Sequence, residues 1–314
     1  MSEFTFGIVT FNHEQFIIEH LESIKYQILN FGNSFRFTLL IADDCSSDST
    51  VQLANKWIMQ NEALFNDYKI MTAEYNLGIV KNFTRLLKSI RTNCFKVLAG
   101  DDMYYKNNIF QLLYESDVVL TCPVKFNHLG VIDDDPMLTY KRMLVENDVK
   151  NFVAKRLKHN NCIDAPGVFY KQSLLDEELF RTINRFSWIE DVPMWVYFFN
   201  KDIIKVKVVS DVFVLYRMGV GISGNVNHEK RLGFEQDLDK IRHTIFIKDR
   251  FPYNRLLVWD KSLFKKMLKY YYCDIPEIQR FEANVKKAKN EGAEYLKYIH
   301  GKADSFLKDL ENCS

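Results

Sequence analysis

Pairs of acids recur in this chain where short apolar runs end. Asp101-Asp102 follow Lys96-Val97-Leu98-Ala99-Gly100, which reads as a buried strand delivering carboxylates at its carboxyl end, where open α/β sheets put their ligands. Carboxylates at such an edge suit a divalent cation and a diphosphate, and the plainer alternative is a strand followed by an acidic turn. Oxygen donors with no neighbouring His or thiolate cluster favour Mn or Mg over Zn, and Asp102 is the candidate direct ligand. Asp43-Asp44 close a second apolar run, Phe37 to Ala42, before Cys45-Ser46-Ser47-Asp48-Ser49-Thr50. Because Cys45 stands where a DxDxT motif has its second acid, phosphoaspartate chemistry of that type is excluded. Glu190-Asp191 precede Val192-Pro193. Pro favours the first turn of a helix, so Asp191 lies at the positive end of a helix dipole, where its ionised form is stabilised. There it can take a proton from a hydroxyl or simply cap the helix.

The elements that must position these acids follow from periodicity. Phe4 to Thr10 is β-rich, Phe11-Asn12 is a break, and Ile17, Leu21, Ile24 and Ile28 recur at helical spacing. After the Phe37 to Ala42 strand, Ser49 with Gln52 fits a capping box, and Val51, Ala54, Trp57 and Ile58 form the inner face of a helix. A third strand, Tyr68 to Ala73, leads to Asn76-Leu77-Gly78, and Ile79 to Ile90 is helical before the Phe95 to Ala99 strand. Strands alternating with amphipathic helices imply right-handed crossovers and a mainly parallel sheet. The GxGxxG of dinucleotide enzymes is absent. Beyond Asp102 the pattern loosens: Asn107 to Glu115 reads as helix, Val118 to Cys122 as strand, Lys125 to Tyr140 as an irregular excursion, and Tyr140 to Lys158 as one helix. Asp133-Asp134-Asp135 lie in that excursion and read as a solvated loop tip. Ile203 to Val209 and Val212 to Tyr216 are β-rich, and the pattern from His228 onward is helical.

Composition narrows the function classes. The chain has 314 residues, with 42 basic and 41 acidic side chains and a net charge of +1, so no global field calls for nucleic acid. Its six cysteines are scattered without a CxxC pair, which reads as free thiols in a reducing compartment. Met1-Ser2-Glu3-Phe4 lacks a basic region followed by an apolar core, and no run of about 18 apolar residues occurs. A soluble, cytoplasmic protein is expected.

Val9-Thr10-Phe11-Asn12, Asp43 to Thr50, Asn76-Leu77-Gly78, Gly100-Asp101-Asp102 and Glu190-Asp191 follow one another as the landmarks of family-two glycosyltransferases. The chain resembles a bacterial member that builds surface polysaccharide. The resemblance implies an α/β GT-A (nucleotide-diphospho-sugar transferase) fold, with a mainly parallel central sheet flanked by helices, to which the residue pattern adds a helical C-terminal extension. It covers the catalytic domain at 1–227, with a nucleotide-sugar-binding half at 1–115 and an acceptor half at 116–227, while the helical region at 228–314 follows from the residue pattern alone. It implies an inverting, metal-dependent hexosyl- or N-acetylhexosaminyltransferase using a UDP-linked donor, Mn or Mg, and a glycan or lipid-linked glycan acceptor.

The roles carried over fall on individual residues. Asp102 would bind the metal, and Asp101 would act through water or contact the ribose. Asp44 would accept the imide hydrogen of uracil, the alternative being a capping loop for which Asp48 and Ser49 already suffice, and Asp43 would contact ribose or brace the loop. Thr10 and Asn12 would edge the same crevice, or form only an Asx turn. Asn76 and Gly78 make a turn that lets backbone approach a ligand, while Lys81 would meet phosphate or base unless it is a solvated surface lysine. Ala165-Pro166-Gly167 would form an acceptor-side wall, Asp191 would be the base, and Glu190 would orient acceptor or metal water. Trp188 and Trp195 would stack on sugars or belong to the core. Many relatives carry a His just after the Arg217 position. This chain has Met218, which makes Arg217 the candidate for diphosphate contact and His228 a candidate substitute ligand, while Gly219, Gly221 and Gly224 suit a closing loop.

Lys261 to Tyr271 forms a basic amphipathic pattern that suits an anionic membrane with a lipid-linked acceptor, packing on the catalytic domain, or subunit pairing. The rival readings are a sugar-phosphate nucleotidyltransferase, which needs an early basic phosphate-binding signature not seen here, and a non-catalytic carbohydrate-binding relative, which would have lost the acids.

Overall fold

Alternation along the first strands decides the layers. In β1 (Ser2–Thr10), Phe4, Phe6 and Ile8 face one way and join Leu39 and Ile41 of β2 (Phe35–Asp43) against α1 (Ile17–Phe31) and α2 (Thr50–Asn61). Val9, Leu40 and Ala42 face the other way, onto α3 (Ile79–Ser89). A period of two in the strands and 3.6 in the helices therefore gives a sheet covered on both sides. The computed structural model describes residues 2–112, 114–132, 138–159, 161–220, 228–244 and 274–312.

The main sheet continues through β3 (Asp67–Thr72), β4 (Cys94–Ala99), β6 (Val118–Thr121), β9 (Val168–Lys171) and β10 (Val206–Val209), in the order β10-β6-β9-β4-β1-β2-β3. β4, β1, β2 and β3 are mutually parallel. The chain moves outward from β1 to β3 and then returns to the far side of β1 as β4, so a topological switch point lies between β1 and β4, where ligands settle in open α/β sheets. β9 runs antiparallel between β4 and β6, which brings its start to the edge where β4 and β6 end. A second sheet, β5 (Met103–Tyr104), β11 (Val214–Arg217), β7 (Val124–Asn127) and β8 (Gly130–Val131), forms directly after the Asp101-Asp102 turn.

Several expectations need correction. The 107–115 segment is not a helix in its described residues: Asn108 Oδ1 accepts from the Phe110 amide (2.9 Å), and Gln27 and Asn107 side chains tie the turn to its neighbours. The excursion after residue 124 contains the β7–β8 hairpin. The single helix expected over 140–158 is two, α4 (Leu138–Val145) and α5 (Val149–Leu157), because Asp148 caps α5 by accepting from the Asn151 amide (3.0 Å). Ser49 makes no side-chain cap on α2, and Asp48 accepts the Thr50 amide instead (3.0 Å). Asp133 to Asp135, Gly221, Gly224 and the Lys261 to Tyr271 segment lie outside the described residues.

Helices α6 (Glu177–Ile183), α7 (Asp191–Phe199) and α8 (His228–Thr244) follow β9 and β11. The last helix, α9 (Pro276–Asn312), crosses the molecule and contributes Phe281, Val285 and Tyr295 to one core cluster and Ala303 and Phe306 to the other. Among the described residues no helix is long and apolar enough to cross a membrane. Phe6 is fully buried and its ring meets those of Phe4, Phe37, Tyr104 and Phe110. Phe6→Ala should lower unfolding free energy by about 3–5 kcal/mol in a urea titration, while exposed Met59→Ala should change it by less than about 0.5 kcal/mol.

Candidate functional site

Backbone bonds at the strand ends gather the acids. The Gly100 amide donates to the Val9 carbonyl (2.9 Å), the Asp44 amide to the Thr10 carbonyl (2.9 Å), and the Ala73 amide to the Asp43 carbonyl (3.0 Å). Thr10, Asp43-Asp44, the turn after β3 and Gly100-Asp101-Asp102 thus share one sheet edge, at the switch point.

The loops at that edge are held by their own side chains. Asn12 and Cys45 take left-handed backbone (φ +54° and +65°), and the loops bearing them interlock. The Asn12 amide donates to Ser46 Oγ (2.9 Å), the Ser47 amide to Asn12 Oδ1 (2.9 Å), and the Ser49 amide to Glu14 Oε2 (2.9 Å). Asp43 is fully buried and accepts from the Ser46 amide (2.9 Å) and hydroxyl, which is the loop-bracing alternative of its two expected roles. Asp44 takes the amides of Leu77 (2.7 Å) and Gly78 (2.9 Å), one on each carboxylate oxygen. It therefore joins two landmarks far apart in sequence, and burial raises its pKa against the pull of those amides. Gly78, at φ +84°, begins α3 and also donates to Asn76 Oδ1 (3.0 Å). Lys81 is exposed one turn further on.

Asp101 and Asp102 are buried, and one residue secures both. The Arg217 amide donates to Asp102 Oδ1 (2.8 Å) and its Nε to the Asp101 carbonyl (2.7 Å), while an Nη reaches Glu19 of α1. The guanidinium lies 4.5 Å from the Phe16 ring centre and 4.4 Å from that of Phe126. Glu19 also meets His300 of α9. Arg217 was expected at a diphosphate, and here its guanidinium is engaged with the acid turn and with Glu19. His20 Nδ1 donates to the Asp102 carbonyl (2.8 Å), and burial pushes His20 down to about 4, so the ring is neutral. Burial and the Asp101 charge push Asp102 well above the usual carboxylate range, opposed by Arg217 and Lys96. Lys96, which sequence reasoning left without a role, is buried in β4 and donates to the Val168 carbonyl (2.7 Å), and burial pulls it down to about 7. A lone lysine inside an apolar strand was the available signal.

Thr10 Oγ1 and His13 Nδ1 are buried without a hydrogen-bond partner among the described residues. Both face Gly100, where an added Cβ would stand 3.2 and 3.0 Å from them, so glycine keeps room for these two atoms. The adjacent Asp101 and Asp102 offer oxygen donors only. Among the described residues no group of three or more His, Cys, Asp or Glu could hold a metal. Two carboxylates fit Mg or Mn, ions that complete their shells with water and phosphate oxygens.

On the other side of the edge, Gly167 opens β9. A Cβ there would overlap the Thr121 carbonyl, and Thr121 Oγ1 donates to the Gly167 carbonyl (2.9 Å), so this glycine serves backbone packing. Glu190 takes the N-cap position of α7 without a side-chain cap, and Asp191 begins the helix, as Pro193 foretold. Asp191 Oδ1 accepts the Val192 amide (2.7 Å), and Asn161 Nδ2 approaches Oδ2 (3.4 Å). Burial raises both acids, the Asp191 charge adds to the rise in Glu190, and Asp164 adds to that in Asp191. Trp188 and Trp195 are used in packing: Trp195 is in the core, and Trp188 lies against Gly233 of α8, where a Cβ would overlap its indole.

The profile of glycosyl transferase family 2 matches residues 5–170, just over half of the chain. No curated protein sequence matches. Among solved structures, the S. aureus TarS 1-349 fragment in complex with UDP is similar with a TM-score of 0.51 at 19% identity, covering 99% of this chain and 90% of that one. The same fragment with UDP-GlcNAc gives a TM-score of 0.49 at 18% identity, covering 99% and 91%. A mannosyltransferase, PcManGT from Pyrobaculum calidifontis, in complex with GDP-Man and Mn2+, gives 0.47 at 14% identity, covering 96% and 79%.

Arg217→Met should leave Glu19 short of a cation and the Asp101 carbonyl without its donor. Chemical denaturation should register a loss of about 3–5 kcal/mol, and a value within error of wild type would mean that the guanidinium does not secure the turn.

Proposed function

This chain belongs to glycosyl transferase family 2, and from that premise we propose that it moves a sugar from a UDP-linked donor to a hydroxyl of a glycan or lipid-linked glycan, with inversion at the anomeric carbon. The supporting observation is the environment of Asp191, a raised carboxylate at a helix amino terminus beside a second half-buried acid, Glu190. The fold shared with a UDP-bound protein supports the choice of nucleotide. Surface-polysaccharide synthesis remains the biological setting that the reading favours.

In this mechanism Asp191, ionised, takes the proton of the acceptor hydroxyl. The acceptor oxygen bonds to the anomeric carbon from the face opposite the diphosphate, the carbon–oxygen bond to the diphosphate breaks, and the electron pair leaves with UDP. Glu190 orients the acceptor. Asp44 keeps the Leu77-Gly78 backbone in reach of the base and sugar of the nucleotide, with Thr10 and Asn12 along the same lip. Asp102, assisted by Asp101, would hold a divalent cation, whose charge offsets the negative charge that gathers on the leaving diphosphate. The paired acids have a purpose here, because a base works best when its pKa approaches the working pH.

The pH dependence has a definite sign. Asp191 acts only when ionised, and its folded pKa is raised, so turnover should fall as pH drops through a limb above the ordinary carboxylate range. Asp191→Asn should abolish that limb and cut transfer by about 10²–10⁴-fold, with UDP affinity by calorimetry unchanged. Normal turnover in this variant would end the base assignment. A thermal-shift panel of UDP-, GDP- and dTDP-sugars should show the UDP-sugars raising the midpoint, and more so with Mn present, since ligands of the folded state stabilise it. A response confined to GDP-sugars would overturn the nucleotide assignment.

A further inference from the structure

We propose that α8 is a working part of the transfer site and that Asp237 is its positioning residue, fixing where Asp191 stands relative to the donor cradle. This rests on Asp191 being the base. One oxygen, Asp237 Oδ2, accepts from two consecutive amides, Ser187 (2.7 Å) and Trp188 (2.6 Å), fifty residues away in sequence. The carboxylate is only 7% exposed. Burying a charge is costly unless its hydrogen bonds are good, and packing alone does not call for it: Phe234, Leu238 and Ile241 of α8 already meet Phe186, Ile189 and Val192.

The same face of α8 holds the neighbouring segment on both sides of Asp237. Gly233, four residues before Asp237, admits the Trp188 indole, with a would-be Cβ only 2.1 Å from its Nε1. Lys240, three residues after, donates to the Arg185 carbonyl and lies 5.1 Å from the Phe186 ring centre. The segment so held leads in both directions to the chemistry. Glu190 and Asp191 follow Trp188 after a single residue, Ile189. The Ser187 carbonyl lies 3.7 Å from the point where a Cβ on Gly78 would stand, and the Gly78 amide is bound to Asp44. Asp237 thus braces a stretch of backbone that runs from beside the turn held by Asp44 to the base. Hydroxyl and anomeric carbon must meet within a fraction of an ångström, so slack in this brace costs rate rather than donor affinity.

The test uses the full chain. UDP release from UDP-glucose and UDP-N-acetylglucosamine identifies a donor that the wild type turns over. With it, Asp237→Ala should lower kcat by about ten- to a hundredfold, with KM for the donor and calorimetric UDP affinity unchanged. Asp237→Asn, whose side-chain oxygen can still accept from both amides, should recover most of the rate. In an Asp191→Asn background, Asp237→Ala should add nothing, because residues acting through one group are not additive. Hydrogen exchange without donor should show the Ser187 and Trp188 amides protected in wild type and in Asp237→Asn, and unprotected in Asp237→Ala. Lost protection with kcat intact would overturn the positioning role, as would an equal further loss in the Asp191→Asn background. Wild-type protein that shows the protection but releases UDP from neither sugar would point instead to failure of the transfer reading.

Discussion

The buried guanidinium of Arg217 is the contact on which the acid end of the site depends. Taking a cation out of water costs several kcal/mol unless it is well paired, and here two aromatic faces, a carboxylate and a backbone carbonyl receive it. The effect is to seat the small sheet on the large one. Arg217 ends β11, while the turn it grips follows β4, and the grip sets both the Asp101 carbonyl and one oxygen of Asp102. Through Glu19 the same cation reaches α1, and through His300 it reaches α9. A helix at the far end of the sequence is in this way part of the support for acids at the switch point, and the remote position of α9 in the chain says little about its distance from the chemistry.

The alternation of strands and helices up to residue 99 was legible because period two and period 3.6 are written in Phe4, Phe6 and Ile8 and in Ile17, Leu21, Ile24 and Ile28, all of them buried. The acids at strand ends were legible for the same reason, since a strand that stops at Gly100 must turn there. Direction was not. Val168 to Lys171 reads alike whether it runs with β4 or against it, and only the path through 122–167 makes it antiparallel. The break between α4 and α5 was hidden because apolar spacing continues across it, and the stop is made by a single cap, Asp148. Trp188 offered stacking as well as packing, and what it packs on was hidden because Gly233, a surface without a side chain, lies 45 residues on.

The loop Cys45 to Thr50 shows a different kind of ambiguity. Its run of Ser, Thr and Asp suits a helix cap and suits a ligand, because both present amides and hydroxyls that seek oxygen partners. In the structure most of these groups satisfy the facing loop at Asn12 to Glu14, so polar richness here builds the frame of the crevice. Thr10 and His13, which carry buried polar atoms left over at Gly100, gave no such signal in composition. Thr10 was marked only by its place in the Val9 to Asn12 landmark, and His13 is distinguished only by what surrounds it.

Burial raises both Asp102 and Asp191, yet their neighbours differ in sign. Around Asp102 stand Arg217 and Lys96, cations that work against the rise, although Asp101 adds to it. Beside Asp191 stands Asp164, whose charge favours keeping a proton there, and the Asp191 charge in turn adds to the rise in Glu190. On the proposed mechanism this division separates two tasks for the same side chain. A carboxylate that must remain an anion for a metal and a diphosphate benefits from nearby positive charge. A carboxylate that must collect a proton and release it later benefits from negative charge, which brings its pKa toward that of the medium. The elements that carry them reinforce the separation: Asp102 is fixed to a strand end by β11, whereas Asp191 begins a helix whose approach is held by α8. On the same mechanism donor and acceptor chemistry are supported by different parts of the chain, and Ser187-Trp188 is a backbone segment that touches the Gly78 turn and leads to Asp191.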